Sequence, residues 1–280
     1  MRRGTIPLLC MAFCLGSGTV GRAQLIFAHR GASHDAPENT LAAFRLAWEQ
    51  GADGIEGDFY FTRDGHIVCM HDADTKRTTG VKKVVESSTL AELRRLDAGS
   101  WKGADWAGEP IPTFAEVYQT VPSGGWFVIE LKSKRAIVPL LAEELRRLPR
   151  EGRHLLIITF DTDTVRACRE QIPDVPVQWL TGFKQNKLTR QFTPSAEQIA
   201  ATVRDTGAEG VGMRGERAVI DAAFIERLAD GGCEKFHVWT IDDGEDARYF
   251  QERGAFAITT NRPAEIRAAI DPSSSGGGTE

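Results

Sequence analysis

Cysteine is scarce in this 280-residue chain, with five in all, and Cys10 and Cys14 fall within the first 23 residues. If that segment is removed, Cys69, Cys168 and Cys233 remain. An odd number argues against a disulfide framework and for buried thiols acting as small hydrophobes. Basic clusters are also missing. The formal charge is −5, and Arg2, Arg3 and Arg22 are the only charged residues of segment 1–23, so the remainder sets 31 basic against 39 acidic residues. A nucleic-acid partner is disfavoured by that balance, because phosphate backbones are bound by basic patches. No apolar run reaches the roughly 20 residues of a membrane-spanning helix. A glycine-rich nucleotide fingerprint is likewise absent.

The first 23 residues have the layout of a secretory signal. Arg2 and Arg3 form a charged start, Thr5–Val20 an apolar middle, and Gly21-Arg22-Ala23 a small-x-small cleavage site before Gln24. The expectation is export by the general route, to the periplasm or the medium, with no stable membrane insertion after cleavage. An uncleaved anchor is the alternative. At the other end, residues 271–280, rich in Ser and Gly, read as a flexible tail.

Between them, residues 24–270 read as one α/β domain. Leu25–Ala28 is an apolar run ending at His29, and 40–50 carries Leu41, Phe44, Ala47 and Trp48 at helical spacing before Gly51. Gly54–Phe61 is a second strand, followed by a Thr62-Arg63-Asp64-Gly65 turn and a return run, Ile67–Met70. Regular alternation then breaks over about 72–125, where capping boxes at Thr89–Glu92 and Thr113–Glu116 open short helices around an ordered loop, Gly99–Pro112. This stretch is too small to bury its own core and reads as an insertion after the second strand. Strands expected at Trp126–Leu131, Leu155–Phe160, Val175–Leu180, Gly210–Met213, Phe236–Ile241 and Ala257–Thr260 then alternate with helices near 135–148, 162–171, 194–206, 220–230, 243–252 and 263–270. Eight such units favour a (β/α)8 TIM barrel over an open sheet.

Barrels of this kind place reactive groups where strands end. His29, Glu56, Asp58, His71, Glu130, Lys132 and Trp239 all fall at such ends. Residues two apart in a strand project the same way, pairing Glu56 with Asp58 and Glu130 with Lys132. Three converging carboxylates repel unless a cation lies between them, and their oxygens suit Ca²⁺ or Mg²⁺ better than zinc. His29 and His71 suit acid–base work near neutral pH, whereas His34, His66, His154 and His237 read as structural. Arg30 and Lys132 add positive charge for an anionic group such as phosphate.

These same residues carry a resemblance to the glycerophosphodiester phosphodiesterase family. It rests on His29-Arg30-Gly31, Pro37-Glu38-Asn39-Thr40, Glu56-Gly57-Asp58, Thr62-Arg63-Asp64-Gly65, His71-Asp72, Arg77-Thr78-Thr79, Glu130-Leu131-Lys132, Trp239-Thr240 and Thr259-Thr260-Asn261-Arg262-Pro263. The resemblance implies metal-dependent hydrolysis of small glycerophosphodiesters to sn-glycerol 3-phosphate and an alcohol. His29 and His71 would be the acid–base pair, Glu56, Asp58 and Glu130 the metal ligands, and Arg30 and Lys132 the phosphate contacts. Trp239 would wall the glycerol or belong to the barrel core, and Asn39 is equally a helix cap or a site residue. Thr75 and Asp242 depart from the family pattern. The first is expected to loosen the insertion, the second to add negative charge near the mouth. Alternatives are a lysophospholipase D-like enzyme on the same rim, with Trp101 and Trp106 in the insertion serving a wider mouth or simply anchoring the loop, and a non-catalytic phosphodiester-binding protein. A glycosidase ranks low, because it leaves both histidines and Arg30 without a role.

Overall fold

Eight parallel strands close on themselves in the computed structural model, which describes residues 24–150 and 152–271. They are β1 (Leu25–His29), β2 (Gly54–Phe61), β3 (Trp126–Leu131), β4 (His154–Thr159), β5 (Val177–Thr181), β6 (Val211–Arg214), β7 (Phe236–Trp239) and β8 (Ala257–Thr260). Neighbours in sequence are neighbours in the sheet, and β1 closes the ring by pairing with β8 through Leu25–Ala257 and with β2 through His29–Glu56. The (β/α)8 expectation is borne out. Residues 1–23 and 272–280 lie outside the described residues, so the expectations of a signal and of a flexible tail concern segments that are not described here beyond Asp271.

The strands alternate as their pleat requires. One set of side chains, Phe27, Val128, Leu156, Ile158, Leu180 and Ala257, fills the barrel interior. The other set packs outward beneath helices α1 (Leu41–Glu49), α2 (Val138–Arg147), α3 (Thr162–Gln171), α4 (Ala196–Thr206), α5 (Ala222–Asp230), α6 (Gly244–Glu252) and α7 (Pro263–Ile270). Cys69, Cys168 and Cys233 are free and buried, as expected. No helix among the described residues is long and apolar enough to cross a membrane.

The return strand, Ile67–Cys69, pairs antiparallel with the far end of β2 and brings the chain back down to the barrel rim. Met70 N–H donates to the Asp58 carbonyl at 2.8 Å, which delivers His71 to the mouth. Both capping boxes form. Within the 72–125 excursion the helix Phe114–Gln119 differs from the rest: its Phe114, Val117 and Tyr118 pack with Phe59 and Phe127 in the outer barrel layer. Thr75 does not loosen this region. Buried, its hydroxyl donates to the Val81 carbonyl (2.6 Å) and accepts from Lys83 N–H (3.2 Å), so it pins the loop it was expected to free. A short hairpin, Lys184–Gln185 with Phe192–Thr193, extends beyond β5 without a periodic signal in the sequence.

Candidate active site

Above the apolar interior sits a polar layer, and the local turns explain how it is built. β1 ends in a reversal in which Arg30 and Gly31 have φ of 58° and 81°. A Cβ on Gly31 would stand 2.5 Å from the Ala43 carbonyl carbon, so only glycine lets α1 pack this close to the end of β1. The reversal aims the Arg30 N–H at Glu56 Oε2 (3.0 Å) and its guanidinium at Asp58 and Glu38.

Asn39 also has a left-handed backbone, φ 59°, which asparagine tolerates better than most residues. The α1 cap is Thr40, whose hydroxyl accepts from Ala43 N–H. Asn39 instead holds Asp58: its Nδ2 donates to Asp58 Oδ2 at 2.8 Å, and its Oδ1 accepts from Asp58 N–H and the Cys69 thiol.

Glu56, Asp58 and Glu130 converge, each offering an oxygen within 4.8 Å of the others, and all three are buried. Asp58 and Glu130 face one another in the β2–β3 register. Lys132 Nζ bridges them, 3.3 Å from Asp58 Oδ1 and 2.8 Å from Glu130 Oε1. The charges are unevenly held. Burial and the neighbouring Asp58 and Glu130 push Glu56 well above the usual carboxylate range. Burial and Asp58 push Glu130 up to about 7, in spite of Lys132. For Asp58, burial is outweighed by Lys132, Arg30 and His71, which hold it well below that range. Among the described residues, Glu56 Oε1 is buried without a hydrogen-bond donor and Asp58 Oδ1 has only its ion pair with Lys132. Three close, buried carboxylates are compatible with a divalent metal site.

The histidines flank this cluster. His29 Nδ1 lies 2.7 Å from Asn261 Oδ1, and burial with the adjacent Arg30 pushes its pKa down to about 4. His71 Nδ1 lies 2.7 Å from Asp72 Oδ1. Arg77 donates to Asp72 Oδ2 (2.7 Å) and, through both terminal nitrogens, to Glu38 (2.7 and 2.8 Å), and Glu38 in turn accepts from Arg30. One chain of charge-assisted bonds thus runs from the ring of His71 to the guanidinium of Arg30.

His29, Arg30, Glu56, His71, Glu130 and Lys132 line a cleft of about 140 Å³ with Ile158, Phe160, Leu180, His237, Trp239, Thr240 and Thr259. Trp239 forms its apolar wall, with Phe160 edge-on at 5.5 Å. His237, read as structural, is buried in the floor with Nδ1 2.6 Å from Gln178 Oε1.

The ordered agreement extends to known proteins, for residues 29–265 match the glycerophosphoryl diester phosphodiesterase family. The chain belongs to that family. It is 40% identical over 246 residues to the glycerophosphodiester phosphodiesterase of Caldanaerobacter subterraneus subsp. tengcongensis, covering 86% of this chain and 96% of the relative. A putative glycerophosphodiester phosphodiesterase of Bacillus subtilis is 33% identical over 244 residues, covering 85% and 94%. Among solved structures, a phosphodiesterase of Oleispira antarctica in complex with the product sn-glycerol-3-phosphate matches with a TM-score of 0.77 at 26% identity, covering 88% of this chain and 96% of that one.

Against this glycerophosphodiester phosphodiesterase frame, all eight residues singled out by sequence border the cleft or the carboxylate cluster. Phe160 carries no local signal for the site, because in the sequence it is the last apolar residue of an expected strand. Ser33, Asp72, Arg77 and Asn261 reach the site through partners distant in sequence or through turns, so local spacing assigns them no role. Asp242, expected to charge the mouth, spends its carboxylate on Thr260 and Asn261.

Proposed function

We propose that this protein hydrolyses glycerophosphodiesters to sn-glycerol 3-phosphate and an alcohol with a bound divalent cation, Ca²⁺ or Mg²⁺. The observation that supports the reading most is the convergence of Glu56, Asp58 and Glu130 between two histidines and two cations in one cleft. The three carboxylates would hold the ion, which when bound supplies positive charge to the phosphodiester oxygens. Arg30 and Lys132 complete the neutralisation from either side of Asp58.

His29, neutral at working pH, takes a proton from the attacking water, whose oxygen bonds to phosphorus as the bond to the alcohol oxygen breaks. His71, held by Asp72, returns a proton to the leaving alcohol. Trp239 and Phe160 bound the apolar side, where carbon atoms of the substrate lie. The cleft is smaller than the roughly 300 Å³ at which drug-sized pockets begin, which suits a glycerophosphoryl group.

The test is release of glycerol 3-phosphate from glycerophosphocholine or glycerophosphoethanolamine by the purified chain lacking residues 1–23. Activity should require Ca²⁺ or Mg²⁺ and vanish with chelator. No release under any of these conditions removes the proposal. A lysophospholipid is the second reading, favoured by the half-exposed Phe160 at the lip; choline release from lysophosphatidylcholine in the same assay identifies it.

Export, with cleavage before Gln24, is part of the proposal. Gln24 anchors to the Ala255 carbonyl and β1 begins one residue later, so such a cut leaves the barrel whole. Mass measurement of the protein from the periplasm or medium checks it; an intact Met1 terminus in the cytoplasm sinks it.

A further inference from the structure

Asp242 follows the end of β7 and lies outside the cleft lining. Its Oδ1 accepts from the Asn261 backbone N–H at 2.7 Å and from the Thr260 hydroxyl at 2.9 Å. Oδ2 accepts from Asn261 Nδ2 at 2.6 Å. A carboxylate only accepts, so it fixes which end of the Asn261 amide faces it: the NH₂ group must. The amide oxygen is thereby turned to His29, whose Nδ1 lies 2.7 Å away, and to the Ser33 hydroxyl at 2.8 Å. An amide oxygen cannot donate. The proton of neutral His29 must therefore sit on Nδ1, leaving the lone pair on Nε2, the ring nitrogen without a hydrogen-bond partner among the described residues.

We infer that Asp242 is a positioning residue that, through the Asn261 amide, locks the tautomer of His29 so that Nε2 can accept a proton. With the amide free to turn, the NH₂ group could face Nδ1 and draw the lone pair there, placing the proton on Nε2 and removing the acceptor from the cleft. Ser33 supports the arrangement without fixing it, because its hydroxyl also serves the His29 carbonyl at 2.7 Å and can donate or accept. The inference deepens the proposed role of His29 and rests on that reading.

Two readouts separate it from a structural role. The first needs no turnover: ¹⁵N-histidine spectra of the full mature chain report the tautomer of each ring, with His29 assigned by a His29→Gln variant. Wild type should show a protonated Nδ1 and a bare Nε2, and Asp242→Ala a mixture. The second is kinetic. Removal of a group behind a reacting one costs roughly 10- to 100-fold in activity, so Asp242→Ala should lower kcat at least about tenfold while KM moves less than about twofold. Asp242→Asn, whose amide can donate as well as accept and so no longer dictates which end of Asn261 faces it, should fall between wild type and Asp242→Ala in kcat and in tautomer populations. In an Asn261→Ala background, Asp242→Ala should cost nothing further, because the path it acts through is already gone.

Thr260→Val removes another bond to Asp242 but leaves the amide held, so kcat should stay at the wild-type value. If Asp242→Ala cannot be purified, the Asp242→Asn and Thr260→Val pair decides: a tautomer mixture and lost kcat in Thr260→Val would assign Asp242 to loop stapling and overturn the inference. Wild-type tautomer populations in Asp242→Ala, or lowered stability with unchanged kcat, overturn it as well. If the wild-type chain shows no hydrolysis at all, the phosphodiesterase reading fails while the spectra still decide the tautomer.

Discussion

The Nζ of Lys132 lies 2.8 Å from Oε1 of Glu130, two residues earlier, and holds together a cluster that would otherwise repel itself. Removing one partner of a buried ion pair costs roughly 3–5 kcal/mol. Glu130, pushed up to about 7, can relieve part of that by taking a proton. Lys132→Met should therefore destabilise the cation-free protein by about 2–3 kcal/mol, at the low end of that range or below it. A saturating divalent cation should restore most of the lost melting temperature, since the ion replaces the missing charge. Activity should fall about 100-fold even with the cation present, because the phosphate loses a fixed positive group. A calorimetric melt with and without Ca²⁺ and a kcat measurement check both parts. Unchanged activity at saturating cation would show that Lys132 serves only the carboxylates.

Cation binding should release protons. Glu130, pushed up to about 7 by burial and Asp58, shares a proton with solvent near neutral pH in the free site, and burial raises Glu56 as well, so an ion must displace bound proton. The sign follows directly: affinity rises with pH through the neutral range and falls as pH drops below about 7. Asp58, held low, contributes nothing to this slope. Titration calorimetry in two buffers of different ionisation enthalpy measures the proton count. Identical heats in both buffers would mean that the carboxylates are already ionised.

Much of this site can be read from sequence, for a physical reason. Glu56, Asp58 and Glu130 are charged residues inside apolar strands, and such a violation is visible locally. Their period-two spacing then states which face they share. The histidines are legible for a similar reason, since each terminates an apolar run. What stays hidden is partnership across the chain. Asn261 meets His29 over 232 positions and Arg77 meets Glu38 over 39, and in neither case does local spacing name the partner. From sequence Asn39 fits both a cap and a partner of Asp58, because asparagine does both; its left-handed backbone and the Thr40 cap separate the two. The hairpin at Lys184–Gln185 is two residues per strand, below the length at which alternation becomes a signal.

Arg77 tests whether the outer ion-pair chain serves catalysis or stability. Its side chain is 44% exposed, and exposed ion pairs contribute about 0–1 kcal/mol. Yet it holds both Asp72, the partner of His71, and Glu38, the partner of Arg30. Arg77→Ala should leave thermal stability nearly unchanged and lower kcat about tenfold, the scale on which supporting groups act. Comparing melting temperature with kcat decides it. A large loss of stability with little loss of kcat would place Arg77 in the scaffold of the insertion.

Phe160 offers the converse separation, between binding and chemistry. Half of its surface is open, its ring meets Trp239 edge-on at 5.5 Å, and its carbonyl is fixed by the Trp179 indole N–H at 3.0 Å. The backbone bond survives Phe160→Ala, so the fold should tolerate the change. What is lost is an apolar edge beside the substrate and the lateral support of Trp239, worth about 0.5–1.5 kcal/mol for an aromatic pair. Such an interaction is made equally to the bound substrate and to its transition state, so its loss raises KM and leaves kcat alone. The expected result is a KM for glycerophosphocholine raised about three- to tenfold at constant kcat, from the same energy. Were kcat to fall instead, the Phe160–Trp239 pair would be holding the phosphodiester in register with His29 and His71, and the apolar wall would belong to the chemistry itself.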